Sequence, residues 1–164
     1  MSSKILPGGI SSGLRASDEA QDRSLIMSTI HRYAAVARES ADHDEIAKLF
    51  VPDGFVQLQD GRKVRPNELG QLTRANEPKL LRHHITTVDV QFASPGEVNC
   101  QTYVIAGTDV KFPDHWGRWD SVLRKQSDGR WLFASKTLVT DGIAPEGWLA
   151  RTLELQAAAA AQEK

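Results

Sequence analysis

Two adjacent histidines, His83 and His84, stand near the start of the segment LLRHHITTVDVQF, residues 80–92. A neutral imidazole has a pKa near 6.5, so it can accept a proton at neutral pH without much tuning. The segment has the composition of a β-strand, in which neighbouring side chains point to opposite faces. Only one of the two histidines can therefore face a given pocket unless a bulge intervenes. The alternation places Val88 and Val90 on the same face as His84, so that face is the more apolar one. An apolar pocket wall and a protein core have the same sequence pattern, so this does not decide which histidine faces the pocket. The candidates are His83 as a base, His84, or neither, with a structural histidine as the simplest alternative.

A second concentration of polar and aromatic residues lies in KFPDHWGRWDSV, residues 111–122. Aromatic side chains offer large, rigid contact surfaces to a flat ligand. Alternation puts Trp116, Arg118 and Asp120 on one strand face and Trp119 on the other. We expect Asp114, Trp116, Arg118 and Asp120 to bind substrate, together with His84. The alternative is a pair of core tryptophans beside a surface Arg–Asp pair.

The elements that position these residues begin with two helices. Helical spacing of apolar residues between Ile26 and Ala37 forms one stripe that includes Tyr33, as core or as pocket wall. Asp42 is typical of the residue that caps a second helix. A hairpin follows around Asp60-Gly61, and Pro66 begins a short helix. A period of two then predicts strands at about residues 82–93, 97–108, 116–126 and 130–140, and a C-terminal helix closes the chain.

Helices followed by a long antiparallel meander indicate an α+β fold, with N-terminal helices packed on a strongly curved, mostly antiparallel sheet that encloses a pocket. We divide the chain into a flexible N-terminal arm (1–17), an α+β domain (18–145) and a C-terminal helix or tail (146–164). Trp131 is expected in the core. Lys136 and Arg124 are expected to point outward, although either is also compatible with a pocket wall.

Composition excludes several classes of function. The 164-residue chain has a formal net charge of -1, so it has no basic excess for a nucleic-acid partner. No stretch approaches the length of a membrane span, and one cysteine, Cys100, fits a reducing compartment, so we expect a cytoplasmic protein. No phosphate-loop, zinc-ligand or GxSxG pattern occurs, which favours chemistry without cofactor or metal. A loose metal site of His83, His84 and Glu39 is the metal alternative.

Three segments, IHRYAAVARESADHDEIAKLFVPDG, RHHITT and WDSVLRKQSDGRWLFASKTLV, occur in this order and at characteristic separations. Together they resemble the SnoaL-like branch of the nuclear-transport-factor-two-like superfamily over about residues 20–142. The resemblance implies a cone-shaped α+β fold. It also implies that His83 takes the catalytic histidine position and that Glu39, where the family usually has an aspartate, is its acidic partner. Tyr33 matches a tyrosine that often lines the pocket.

The function implied is a cofactor-independent lyase or isomerase acting on a small hydrophobic substrate, aromatic or polycyclic. In this hypothesis His83 abstracts a proton, Glu39 stabilises the imidazolium, and Tyr33 donates a hydrogen bond to the developing charge. The alternative is a non-catalytic ligand-binding or assembly subunit of the same fold. In either case the partner expected is a small molecule, and the exposed curved sheet favours a homodimer.

Overall fold

A computed structural model describes residues 16–72 and 76–162 of the chain. Most of the expected N-terminal arm, residues 1–15, lies outside the described residues. Helix α1 spans Ala16–Val36 and buries Ile26, Ile30 and Tyr33, which confirms the predicted apolar stripe. Helix α2 spans His43–Ala47 and begins at the expected cap, where the Asp42 carboxylate accepts the backbone N–H groups of Asp44 and Glu45.

Six strands form one mixed sheet in the order β2-β1-β6-β5-β4-β3. Neighbouring strands are antiparallel except β1 and β6, which are parallel. This arrangement confirms the α+β class, with helices before an open sheet. The remaining elements, in chain order, are β1 Phe50–Gln57, β2 Lys63–Val64, a 3₁₀ helix Pro66–Leu72, β3 Leu81–Ser94, β4 Glu97–Thr108, β5 His115–Lys125, β6 Trp131–Ile143 and α3 Trp148–Gln162.

The turns that join these strands follow from their sequences. Gly61, in the Asp60-Gly61 turn between β1 and β2, has a φ of +88°, a conformation that residues with a Cβ rarely adopt. Gly129 has a φ of +86° in the SDGR turn between β5 and β6. The four long strands begin and end within three residues of the predicted bounds, because period-two patterning and turn residues are local signals.

A bulge in β3 changes which residues share a face with His83. Ile85 pairs with Val104 of β4 and Thr87 with Tyr103, so Thr86 is an extra residue between consecutive pairs. The bulge returns Val88 and Val90 to the inner face that His83 and Ile85 already occupy. Strict alternation, which grouped Val88 and Val90 with His84, is therefore wrong. His84 is exposed on the outer face.

The core fills the space between α1 and the inner face of the sheet. Trp131 is buried there, as expected, and its indole Nε1 donates to the Asp22 carboxylate of α1 at 3.0 Å. Lys125 of β5 reaches the same carboxylate at 2.7 Å. Asp22 therefore ties the first helix to the ends of β5 and β6. In the two described ranges, no helix is long and apolar enough to cross a membrane.

Replacing Asp22 by alanine is expected to destabilise the protein by about 3 kcal/mol, because the buried indole N–H and the Lys125 ammonium lose their shared acceptor. Urea unfolding followed by tryptophan fluorescence measures the change. The matched control is Asp128→Ala, which removes an exposed carboxylate paired with Arg130. That control is expected to change stability by less than about 0.5 kcal/mol. Equal effects of the two substitutions would contradict the structural role of Asp22.

Candidate active site

A cavity of about 750 Å³ lies between the helices and the inner face of the sheet. Every helix and four of the six strands contribute to its wall. Apolar and aromatic side chains make up much of the lining, and a few titratable groups converge among them, which is the usual character of a small-molecule site. The polar and aromatic side chains of this lining include Tyr33, His83, His115, Trp116, Trp119 and Trp148.

His83 projects from the start of β3 into this cavity, as the sequence predicted. Its Nδ1 lies 2.8 Å from the backbone carbonyl oxygen of Ala37. A carbonyl can only accept, so Nδ1 carries the proton and Nε2 of the neutral ring holds the lone pair. Burial lowers the pKa of His83 to about 4, and the neighbouring His115 acts in the same direction. His83 is therefore a neutral imidazole at physiological pH.

His115 is the second imidazole of the cavity, and it was not among the predicted site residues. Its ring centroid lies 6.1 Å from that of His83, in an edge-to-face arrangement. Its Nδ1 lies 2.8 Å from Oδ1 of Asp114. The ionised Asp114 carboxylate can only accept a hydrogen bond, so Nδ1 of His115 carries the proton and the lone pair is on Nε2. The adjacent Asp-His pair at a strand start was the sequence signal for this site, hidden among other polar residues.

Asp114 was predicted to bind substrate, but its side chain is instead fully buried behind His115, with a relative exposure of 0%. Besides His115, its carboxylate accepts the backbone N–H groups of Trp148 at 2.5 Å and Leu149 at 3.2 Å, and the hydroxyl of Thr108 at 3.1 Å. Burial acts to raise the pKa of Asp114, but these hydrogen bonds outweigh it and hold the pKa below its ordinary value. The carboxylate is therefore ionised beside the imidazole.

Glu39 does not provide the partner that the resemblance implied for His83. Its Oε2 accepts the backbone N–H of Leu81 at 2.8 Å and pairs with the guanidinium of Arg82 at 2.5 Å. The Arg82 hydrogen bond lowers the pKa of Glu39 to about 2. The physical reason is the position of Glu39 after the end of α1, where a charged arginine and a backbone N–H at the start of β3 both bind its carboxylate. The acceptor that Nδ1 of His83 meets is the carbonyl oxygen of Ala37.

Three of the predicted substrate-binding residues lie on the outer face of the sheet, away from the cavity. His84 packs there against Phe112, with ring centroids 5.6 Å apart. Arg118 donates to Asp120 at 3.2 Å and to Asp141 at 2.9 Å, which is the surface Arg–Asp pair of the alternative interpretation. Trp116, by contrast, reaches the rim of the cavity although 41% of its surface is exposed.

Tyr33 lines the cavity from α1 and also belongs to the core, so both predicted alternatives hold. Its ring packs edge-on against Trp119, with centroids 5.2 Å apart. Burial raises the pKa of the Tyr33 phenol above its ordinary value. The hydroxyl therefore stays protonated and able to donate a hydrogen bond.

Lys136 does not point outward. It is 1% exposed and lies behind the cavity wall, with Nζ 3.9 Å from the Trp119 ring centroid. Strict alternation from Trp131 and Phe133 puts Lys136 on the opposite face, but a bulge at Ala134 of β6 returns it to the inner face. In the described ranges, no three His, Cys, Asp or Glu side chains are grouped in a way that suits a metal ion.

The comparisons with known proteins agree with this architecture. The family model described as SnoaL-like domain matches residues 18–137, and the chain belongs to this family. Among curated proteins, no relative matches the sequence.

Solved structures of similar fold include proteins named as enzymes and one of unknown function. A candidate scytalone dehydratase from Novosphingobium aromaticivorans is 21% identical, with 79% of this chain and 91% of that chain covered and a TM-score of 0.65. The hexachlorocyclohexane dehydrochlorinase LinA-type3 from Novosphingobium barchaimii is 14% identical over 79% and 93%, with a TM-score of 0.66. Rv3472 of Mycobacterium tuberculosis, of unknown function, is 18% identical over 92% and 96%, with a TM-score of 0.68. At these identities the likeness concerns the fold.

The lowered pKa of His83 makes stability depend on pH. The unfolded ring binds a proton below about pH 6.5 and the folded ring only below about 4, so the stability attached to this group falls as the pH drops between these values. We expect wild type to lose about 2–3 kcal/mol more than His83→Asn between pH 7 and pH 4. Urea unfolding at several pH values measures this difference. A His31→Asn control, at an exposed histidine, should follow wild type; parallel curves for wild type and His83→Asn would contradict the assignment.

Proposed function

We propose that this protein is a cofactor-independent lyase or isomerase that removes a proton from a small, flat, hydrophobic substrate. The observation that carries the proposal is the His115–Asp114 pair at the wall of an aromatic cavity. An ionised carboxylate on Nδ1 orients the ring and stabilises the imidazolium that forms when Nε2 accepts a proton. The fold shared with proteins named as a dehydratase and a dehydrochlorinase supports the reaction class.

His115 is the better base of the two histidines in this proposal. A general base works best when its pKa lies near the operating pH, and His83, with a pKa lowered to about 4, has little driving force to hold a proton. His83 instead presents its Nε2 lone pair as a hydrogen-bond acceptor, which orients a hydroxyl or other donor on the substrate. This division departs from the role that the resemblance implied for His83 and Glu39.

The reaction begins at a carbon next to a carbonyl or similar activating group. The proton moves to Nε2 of His115, and the electron pair of the broken C–H bond moves onto the carbonyl oxygen. The protonated Tyr33 phenol donates a hydrogen bond to the developing oxyanion. The enolate then expels a leaving group from the adjacent carbon, and that group takes the proton from His115. In isomerisation the enolate instead takes the proton back at another carbon. Elimination and isomerisation therefore share the first step.

Deuterium exchange tests that first step without knowledge of the natural substrate. A panel of flat cyclic ketones, such as 2-tetralone, is incubated with the protein in deuterated water, and incorporation beside the carbonyl is measured by mass spectrometry. We expect exchange above the uncatalysed rate, and we expect His115→Asn to lower the catalysed rate by about 10²- to 10⁴-fold.

Glu39→Gln distinguishes the His83–Glu39 pair implied by the resemblance from the His115–Asp114 pair, because glutamine keeps an acceptor for Leu81 but removes the carboxylate. It is expected to retain exchange, as is the surface variant His31→Asn. Loss of exchange in Glu39→Gln with retention in His115→Asn would contradict the assignment of His115. Binding of the ketones with no exchange in wild type would contradict the enzymatic proposal and favour a ligand-binding protein of the same fold.

A further inference from the structure

Lys136 is a buried amine directly behind the wall of the cavity. Its Nζ lies 3.9 Å from the ring centroid of Trp119, 4.2 Å from that of Tyr33 and 4.7 Å from that of Phe133. Lys48, Lys111 and Lys125 each pair with a carboxylate, whereas the Lys136 ammonium group lies over three aromatic rings. Its environment is therefore unlike that of these other lysines.

This placement costs stability. Burial disfavours the ammonium form and lowers the pKa of Lys136 well below its ordinary value. Ring faces attract a cation, but they replace only part of the hydration that burial removes. An apolar side chain of similar length would fill the same space without this cost, so the amine calls for a reason other than packing.

A buried hydroxyl group that can accept a hydrogen bond lies beside Lys136. Ser121 of β5 is its direct partner in strand register. The Ser121 hydroxyl is buried and has no hydrogen-bond partner among the residues that the structure describes. A hydroxyl in this position can accept an N–H group when Lys136 is protonated. The site therefore has an acceptor available for the charged form.

The titratable groups that face Lys136 are neutral at pH 7. They are Tyr33 from α1, His83 from β3 and Cys100 from β4. Burial raises the pKa of Cys100 to about 12 and also raises that of Tyr33, so neither is an anion. His83 is uncharged because burial lowers its pKa to about 4. None of these three groups supplies a counter-ion for Lys136, which leaves that role open to an occupant of the cavity.

Tyr33 and Trp119 connect Lys136 to that occupant, because both rings line the cavity and both contact the amine. A negative charge held beside these rings would be separated from Nζ by aromatic carbon and not by water. Charges interact more strongly in such surroundings than in water. An anion at this wall therefore favours the protonated amine.

We propose that Lys136 is a specificity-determining residue: the cavity prefers ligands with negative charge at the Tyr33–Trp119 wall, and Lys136 takes up a proton from solvent as such a ligand binds. This inference rests on the proposed function only in taking the same cavity as the ligand site. It names the ligand class as flat aromatic anions such as phenolates, carboxylates and the enolate of the proposed reaction.

The test compares two ligands of similar shape that differ in charge, 2-naphthoate and 2-naphthamide. Binding to the full chain at pH 7 is measured by tryptophan fluorescence and by calorimetry in phosphate and in Tris, whose different ionisation heats reveal proton uptake. Wild type is expected to bind the anion at least about tenfold more tightly, which corresponds to about 1.4 kcal/mol, and to take up a proton with it. The amide should bind with no proton uptake.

Lys136→Met is expected to bind the two ligands within about twofold of each other and to take up no proton. This variant should fold, because it removes a buried polar group, and its urea midpoint should be at least that of wild type. Lys79→Met is the matched control, since it removes one exposed positive charge and should keep both the preference and the uptake.

Two results would overturn the inference: equal binding of both ligands by wild type, or an anion preference with proton uptake that survives in Lys136→Met. The second result would assign the proton to another group, such as His83. Neither ligand needs to react, so the outcome is independent of turnover. Absence of deuterium exchange together with a Lys136-dependent preference would reject the proposed enzyme and keep the inference.

Discussion

The buried carboxylate of Asp114 is the interaction on which the arrangement of the cavity depends. One side chain accepts hydrogen bonds from the end of β4, from the first residue of β5 and from the first two backbone N–H groups of α3. A fully buried carboxylate persists only when its lone pairs are satisfied, and here four donors satisfy them. The same bonds that keep Asp114 ionised also fix the tautomer of His115 and hold Trp148 of α3 at the cavity wall. The tautomer of His115 and the position of α3 thus depend on one group.

The cavity is built at a cost to stability. His83 is held neutral against its tendency to ionise, and Lys136 is buried against aromatic rings. Both groups would be easier to accommodate near solvent. Buried titratable groups converging on one cavity are typical of sites where protons move or charged ligands bind. The compensation lies in the core behind them, where Trp131 and Asp22 connect α1 to the sheet.

Membership of the SnoaL-like family accounts for the fold, but the contacts of the site residues are particular to this chain. The resemblance placed an acidic partner for the histidine on the helical side of the cavity, and Glu39 occupies that stretch. In this structure Arg82 holds Glu39, and the carboxylate beside a cavity histidine is instead that of Asp114, which lies just before β5 and pairs with His115. A cone-shaped sheet tolerates this exchange, because several strands direct side chains into one space. Function therefore follows from the particular residues at the wall more than from the shared fold.

The sequence by itself determined the elements and their class. The stripe through Ile26 and Tyr33, the cap at Asp42, the turn at Gly61 and the period-two strands are local patterns, and local backbone preferences are enough to predict them. It also placed His83 in the pocket through the family resemblance. Only the tertiary structure decided what each site residue meets. The bulge at Thr86, the capture of Glu39 by Arg82, the pairing of His115 with Asp114 and the burial of Lys136 all depend on contacts between residues distant in the chain or on register across strands. A single sequence carries no local signal for such contacts, because burial and hydrogen-bond partners are properties of the assembled fold.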